Sequence, residues 1–337
     1  MNVCARVIVF LALFLLPGLP LAEGERLDVR SVAVPLDVTQ PGRQHIGHLL
    51  YRGGLWLQGS LARFGGLSDL RVSPDGRHLR TISDCGDVFT GELVYAPDGT
   101  LVGLRDVTMT PIAGGQLPPS REARDAEALV NLADGTWLVA FERQHRIERY
   151  ADAGRPLSRS LGPLAVPPDL GDVAGSNSGI EALARLADGR LLAIAEGSPL
   201  GGGPSRLWVR DSDHGNWRGI EYPLERDEGS LTPFRPTAAV GLSNGDVLVL
   251  ERRFPPLGAR VRRLAASSLS PGADLRGSEV ARLETPLTVD NMEGVDAVAG
   301  PAGETRVYLI SDDNGCQGPS LSPLPPQRTL LLMFDLQ

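Results

Sequence analysis

Residues 181–196 read E-A-L-A-R-L-A-D-G-R-L-L-A-I-A-E, two short apolar runs around an Asp-Gly dipeptide. Asp-Gly between alternating apolar residues is a strong hairpin signal, because a two-residue type I′ turn needs positive φ at both central positions. With the turn at Asp188-Gly189, cross-strand partners sum to 377, which sets Glu181 opposite Glu196 at the open end. Residues 127–142, E-A-L-V-N-L-A-D-G-T-W-L-V-A-F-E, repeat the pattern around Asp134-Gly135 and again pair two glutamates, Glu127 with Glu142.

The repeat extends in both directions. An earlier copy turns at Asp75-Gly76, with Asp69 and Asp84 two places out of register, and a later copy turns at Asn244-Gly245 and closes on Glu251. The turns at 75, 134, 188 and 244 are spaced by 59, 54 and 56 residues. A fifth copy starts at Asn291 and closes on Asp312. A second hairpin around Asp98-Gly99 gives the first unit four strands, the content of one propeller blade. The expected fold is all-β: a β-propeller of four-stranded blades, five repeats visible, with a sixth blade conceivable within residues 27–60. Residues 27–38 form one strand-like run and 47–59 a hairpin in this reading. The last unit keeps only 329–334 after its hairpin, so its outermost strand must come from the N-terminal region and close the ring.

Gly (40) and Pro (27) are both abundant, as many turns require. All 33 basic residues are arginine, which removes Schiff-base and P-loop chemistry. A net charge of -8 without a basic run argues against a nucleic-acid surface. Residues 1–22 carry one Arg and an apolar core over 7–16, too short to cross about 30 Å of hydrocarbon, and read as a secretory signal peptide. The expected product is a soluble, monomeric chain of one domain, 23–337, exported to the periplasm or secreted without stable membrane insertion. Cys85 and Cys316 each follow an acidic strand end; they bridge if those ends are neighbours, and are otherwise two free thiols.

In a propeller the start of each first strand and the end of each second strand share one channel mouth. There the pattern gathers the candidate metal ligands Asp69, Asp84, Glu127, Glu142, Glu196, Glu251, Asp290 and Asp312, the candidate proton acceptors Glu181 and Glu293, and amides at Asn177, Asn291 and Asn314. So many carboxylates need compensation. Either a divalent cation with oxygen ligands, Ca²⁺ by its chemistry, or arginines must sit among them. Arg143, Arg146, Arg252 and Arg328 are candidates to hold a small anionic substrate, or to pair with the acids. G-S-N-S-G at 175–179 lacks the serine of a nucleophile elbow, and among five histidines only His145 falls near the mouth.

The segments G-G-L-S at 65–68, D-A-E-A-L at 125–129, F-E-R-Q-H-R-I at 141–147, L-E-R-R at 250–253, Y-L-I-S-D-D-N at 308–314 and Q-R-T-L-L-L-M-F at 327–334 resemble the phytase-like family of exported bacterial proteins. The resemblance spans about residues 47–336 and implies a propeller with hydrolytic activity on phosphate or carboxylate esters. Residues 315–326 look like an insertion beside the mouth, and the fourth hairpin has Thr237 and Ala238 where an acid is expected. The expected activity is a metal-dependent phosphoester hydrolase. The alternatives are a non-catalytic binding propeller and a lactonase-like metal propeller.

Overall fold

A computed structural model describes residues 24–113, 120–175, 178–197, 205–211, 215–270, 272–275, 277–317 and 326–337. The expected signal peptide, Asn177 and residues 318–325 of the insertion lie outside them.

Five antiparallel sheets form the blades. Their innermost strands are Leu67–Val72, Ala126–Asn131, Ile180–Arg185, Arg235–Gly241 and Asn291–Ala299, for blades I to V in chain order. Each of these strands packs against the next, and blade V packs back on blade I, so the ring is closed with five blades. The inner strands are buried on both faces: every residue of Leu67–Val72 is buried. An outer strand such as Trp217–Tyr222 instead mixes buried positions, Trp217, Ile220 and Tyr222, with exposed ones. The core lies between blades, where for instance Leu248, Leu250 and Val261 of blade IV meet Met292, Val295 and Leu309 of blade V. Burying each such side chain contributes roughly 1.5–3 kcal/mol. Blades I and V approach closely at Gly294, where a Cβ would meet the Cα of Asp69 at 3.0 Å.

The closing blade is built from both ends of the chain. Thr329–Leu336 pairs with Leu49–Gly59, which pairs with Val29–Ala33. The run 27–38 is therefore not one strand: Glu25–Leu27 adds a fifth strand to blade I, and Val29–Ala33 belongs to blade V. Nor is 47–59 a hairpin, since it is almost wholly the single strand Leu49–Gly59, preceded only by the short His45–Ile46. Among the described residues of 27–60, none is left for a sixth blade.

The hairpin turns differ from the expected type. In blade III, Leu186 N donates to Arg190 O at 2.8 Å and Gly189 N to Leu186 O at 2.9 Å, and positive φ is confined to Gly189 at 88°. This is a three-residue loop closed by glycine, not a two-residue type I′ turn. Partners now sum to 376, as in Leu183↔Ala193, and the whole register moves by one.

Candidate active site at the channel mouth

That one-residue offset is combined with a β-bulge near the start of every inner strand. The ladder skips Ser68, Glu127, Glu181, Thr237 and Glu293, one per blade and at equivalent places. A bulge re-aims the extra side chain, and here four of the five line the mouth of the channel, the exception being Thr237. Thr237 instead donates its hydroxyl to Met292 O at 3.0 Å.

The ends of the second strands supply another set. Asp84 N bonds Gly66 O, Glu142 N bonds Asp125 O and Glu196 N bonds Gly179 O, so these acids occupy equivalent positions, joined by Asp312 opposite Asn291 in blade V. In blade IV the equivalent residue is Arg252, opposite Arg235. Four blades thus offer an acid at this position, and blade IV offers a guanidinium.

These side chains line a cavity of about 760 Å³ carrying nine carboxylates and four guanidiniums. The arginines are already engaged. Arg143 pairs with Asp125, Arg121 lies 3.8 Å from Asp84, Arg328 3.3 Å from Asp290, and Arg252 bridges Glu293 at 3.0 Å and Glu196 at 3.7 Å. Glu127, Glu142, Glu181 and Asp312 form no ion pair with an arginine among the described residues. Burial, reinforced by neighbouring carboxylates, holds Glu127, Glu181 and Asp312 well above the usual carboxylate range. Burial and the repulsion of Asp125 and Glu196 push Glu142 up to about 8. Glu293 is pushed up to about 7, its burial outweighing the opposing pull of Arg252.

The model of the family described as "Phytase-like: Esterase-like activity of phytase" matches residues 62–315. The chain belongs to the phytase-like family. No curated protein sequence matches it. Among solved structures, virginiamycin B lyase from Staphylococcus aureus is 11% identical with a TM-score of 0.42, the match covering 92% of this chain and 100% of that one. A luciferin-regenerating enzyme is 12% identical, TM-score 0.42, covering 81% and 93%, and the RRP9 WD40 repeats are 9% identical, TM-score 0.42, covering 81% and 95%.

The donor set of this phytase-like propeller suits a hard cation. One oxygen each from Glu142, Glu181 and Glu196 lie within 4.8 Å of one another, and so do one each from Asp125, Glu127 and Glu142. Two ligands at 2.3–2.6 Å from a shared calcium would stand at most about 5 Å apart. A third group, Asp84 with Cys85 and Cys316, offers no thiolate, because the two cysteines are joined in a disulfide with Cα atoms 6.2 Å apart. The bridge ties blade I to the segment after the second strand of blade V.

Of the residues singled out in the sequence, Asp84, Glu127, Glu142, Glu181, Glu196, Asp290, Glu293, Asp312, Arg143, Arg252 and Arg328 all line the cavity. Three do not, and each has a physical reason. Asp69 follows the bulge and turns inward: its carboxylate accepts from Leu70 N and Leu129 N, both at 2.8 Å, and from Arg71 at 2.9 Å. Arg71 in turn donates to Val295 O at 3.1 Å, Leu183 O at 2.8 Å and Ala239 O at 3.4 Å. This pair plugs the channel and bonds to the inner strands of all the blades, so the mouth is a blind cup. Glu251 precedes Arg252 and so faces the opposite side of its strand, where Tyr222, Arg260 and Arg262 hold it at zero exposure. Arg146 stacks on Phe141, 3.6 Å from the ring centroid, and donates to Ala123 O. His145 also lies outside the lining, its Nε2 3.0 Å from Gly175 O.

Ser68, Arg121, Phe254 and Leu257 line the cavity without having stood out in the sequence. Ser68 was legible in principle, as the position equivalent to Glu127, Glu181 and Glu293 once all repeats are aligned on their bulges. The other three sit outside the inner strands, where no periodicity marks them.

Proposed function

We propose that this is an exported, monomeric phytase-like propeller, one domain over residues 23–337, that binds a divalent cation, calcium by its ligand chemistry, and hydrolyses a phosphoester. The observation that supports this reading best is the pair of carboxylate triads sharing Glu142, each with oxygens within 4.8 Å. Glu142, Glu181 and Glu196, with Asp125 and Glu127 beside them, would hold the cation. When bound, it would offset the negative charge of ring and substrate and acidify a water molecule.

The other side of the cup supplies the remaining functions. Arg252 and Arg328 hold and orient the anionic head of the substrate, which the unneutralised carboxylates would otherwise repel. Glu293, beside Arg252 and outside both triads, accepts the proton. Its position near neutral titration suits a general base. Glu181, an equal candidate for that role from the sequence, falls within a triad and acts as a ligand.

The test is elemental analysis and thermal melting of the mature protein with and without EDTA and added calcium, followed by phosphoester turnover. Stoichiometric calcium, a lower melting point on chelation and loss of turnover are expected. Glu181→Gln should weaken calcium binding at least tenfold and reduce the melting shift to about half or less with the fold retained. Glu293→Gln should retain calcium but lose roughly 10²–10⁴ in kcat. Undiminished turnover in chelated protein overturns the reading, and calcium binding without turnover on any ester favours a ligand-binding propeller.

A further inference from the structure

The cup is chemically two-sided. Its carboxylate triads come from blades II and III, whereas the cavity's apolar side chains come from the other side, among the charged groups of blades IV and V: Phe254 and Leu257 from blade IV, Val289 just before the inner strand of blade V, and Pro326 just before its third strand. Phe254 is 45% exposed, and of the large apolar side chains left exposed among the described residues it alone lines this cavity. An exposed aromatic inside an otherwise charged cup is a contact surface awaiting an apolar group. Two of the four guanidiniums, Arg252 and Arg328, adjoin these apolar residues. Arg252 is two residues from Phe254, and Arg328 reaches Asp290 at 3.3 Å and Val289 O at 3.5 Å.

Resting on the function proposed above, we infer that the substrate is a small ester with one compact anionic head and an apolar, preferably aromatic, body. The head lies between the triads and Arg252, and the body lies on the wall formed by Phe254, Leu257, Val289 and Pro326. A polyanion fits poorly. Its outlying charges would fall either on the apolar wall or on a ring where carboxylates outnumber guanidiniums nine to four, with no lysine to help.

The experiment is calorimetric titration of the calcium-loaded full chain with phenylphosphonate and with methylphosphonate, which share a head and cannot be hydrolysed as esters. Phenylphosphonate should bind at least tenfold more tightly, equivalent to about 1.4 kcal/mol. In Phe254→Ser, a change at an exposed position checked by an unchanged melting point, that ratio should fall below threefold; Leu257→Ser provides a second measurement should the first variant misfold. Equal affinities in the wild type, or a ratio that survives both substitutions, overturn the inference and leave the cation-and-anion site standing. If neither phosphonate binds the calcium-loaded protein, the function proposed above fails, and this inference fails with it.

Discussion

Two layers of the same five inner strands, two residues apart, handle charge in opposite ways. In the mouth layer, Ser68, Glu127, Glu181, Thr237 and Glu293 are bulged residues, and the carboxylates around them outnumber their arginines. In the layer below, at Leu70, Leu129, Leu183, Ala239 and Val295, the described charges are one Asp69–Arg71 pair whose bonds reach all five strands and the neighbouring buried Asp296, which accepts from Val72 N at 2.6 Å. A charge buried with all its partners holds the ring together. Surplus charge gathered at a bulge destabilises the site, a cost that a bound cation would recover.

The sharpest way to break this comparison is Asp69→Ala. Removing one partner of a buried pair deprives Arg71 of its direct ion-pair partner, leaving only the more distant Asp296, and should cost about 3 kcal/mol in urea unfolding. Bound calcium should remain, since Asp69 faces away from the cup. A loss under about 1 kcal/mol accompanied by loss of calcium would place Asp69 in the mouth after all.

The next effect belongs to the mouth layer. Calcium at one hundred times its dissociation constant should stabilise the wild type by about 2.7 kcal/mol. The effect must depend on pH in a fixed direction. Glu142 and Glu293, pushed up to about 8 and about 7, keep in the folded protein protons that the unfolded chain releases above the ordinary carboxylate range. The folded state therefore binds more protons between that range and about pH 8, and stability falls as pH rises through the window. Melting of EDTA-treated protein should decline from about pH 5 to about pH 8. A calcium-saturated sample should decline less, because the cation selects the ionised carboxylates, and the gap should widen with pH. A calcium-free melting point that rises over this interval would mean the mouth acids are already neutralised within the chain.

The same two layers show what was legible in the sequence. The Asp-Gly turns, their spacing and the acids at strand ends were enough for the propeller and for most of the mouth. What they misplaced was register. A three-residue loop instead of two moves every partner by one, and in a strand one residue exchanges the two faces. In blade IV that offset put Glu251 where Arg252 belongs, whereas in blade I the assumed register holds, Arg71↔Arg80 summing to 151, and the bulge at Ser68 alone put Asp69 in its place; both neighbours are charged or polar and local composition cannot separate them. In blades II and III the bulges compensate for the offset, so Glu127 and Glu181 line the mouth although the assumed pairing was off by one, and Glu293 takes the same place in blade V, where no two-residue turn was assumed. That the N-terminal region closes blade V was legible from the short last unit, but which segments do so was not: Leu49–Gly59 pairs with Thr329–Leu336, Val29–Ala33 lies outside it and Glu25–Leu27 goes to blade I, all through contacts across nearly the whole chain that leave no local signal.

The smallest effect has a sign that discriminates. Arg252 occupies in blade IV the place that an acid holds in the other four, and it draws Glu196 and Glu293 toward itself at 3.7 and 3.0 Å. If the ring is a cation site, Arg252 both repels the cation and competes for Glu196, one of its ligands. Arg252→Gln should then tighten calcium binding by about 1 kcal/mol, roughly fivefold, while weakening phosphonate binding. Arg146→Gln, behind blade II, should change neither. If the arginines are instead the ring's permanent counterions and no cation belongs there, Arg252→Gln should destabilise the protein and leave calcium without measurable affinity. Opposite effects on the two ligands from one substitution would show that cation and anion meet in the same cup, with blade IV as the side that receives the anion.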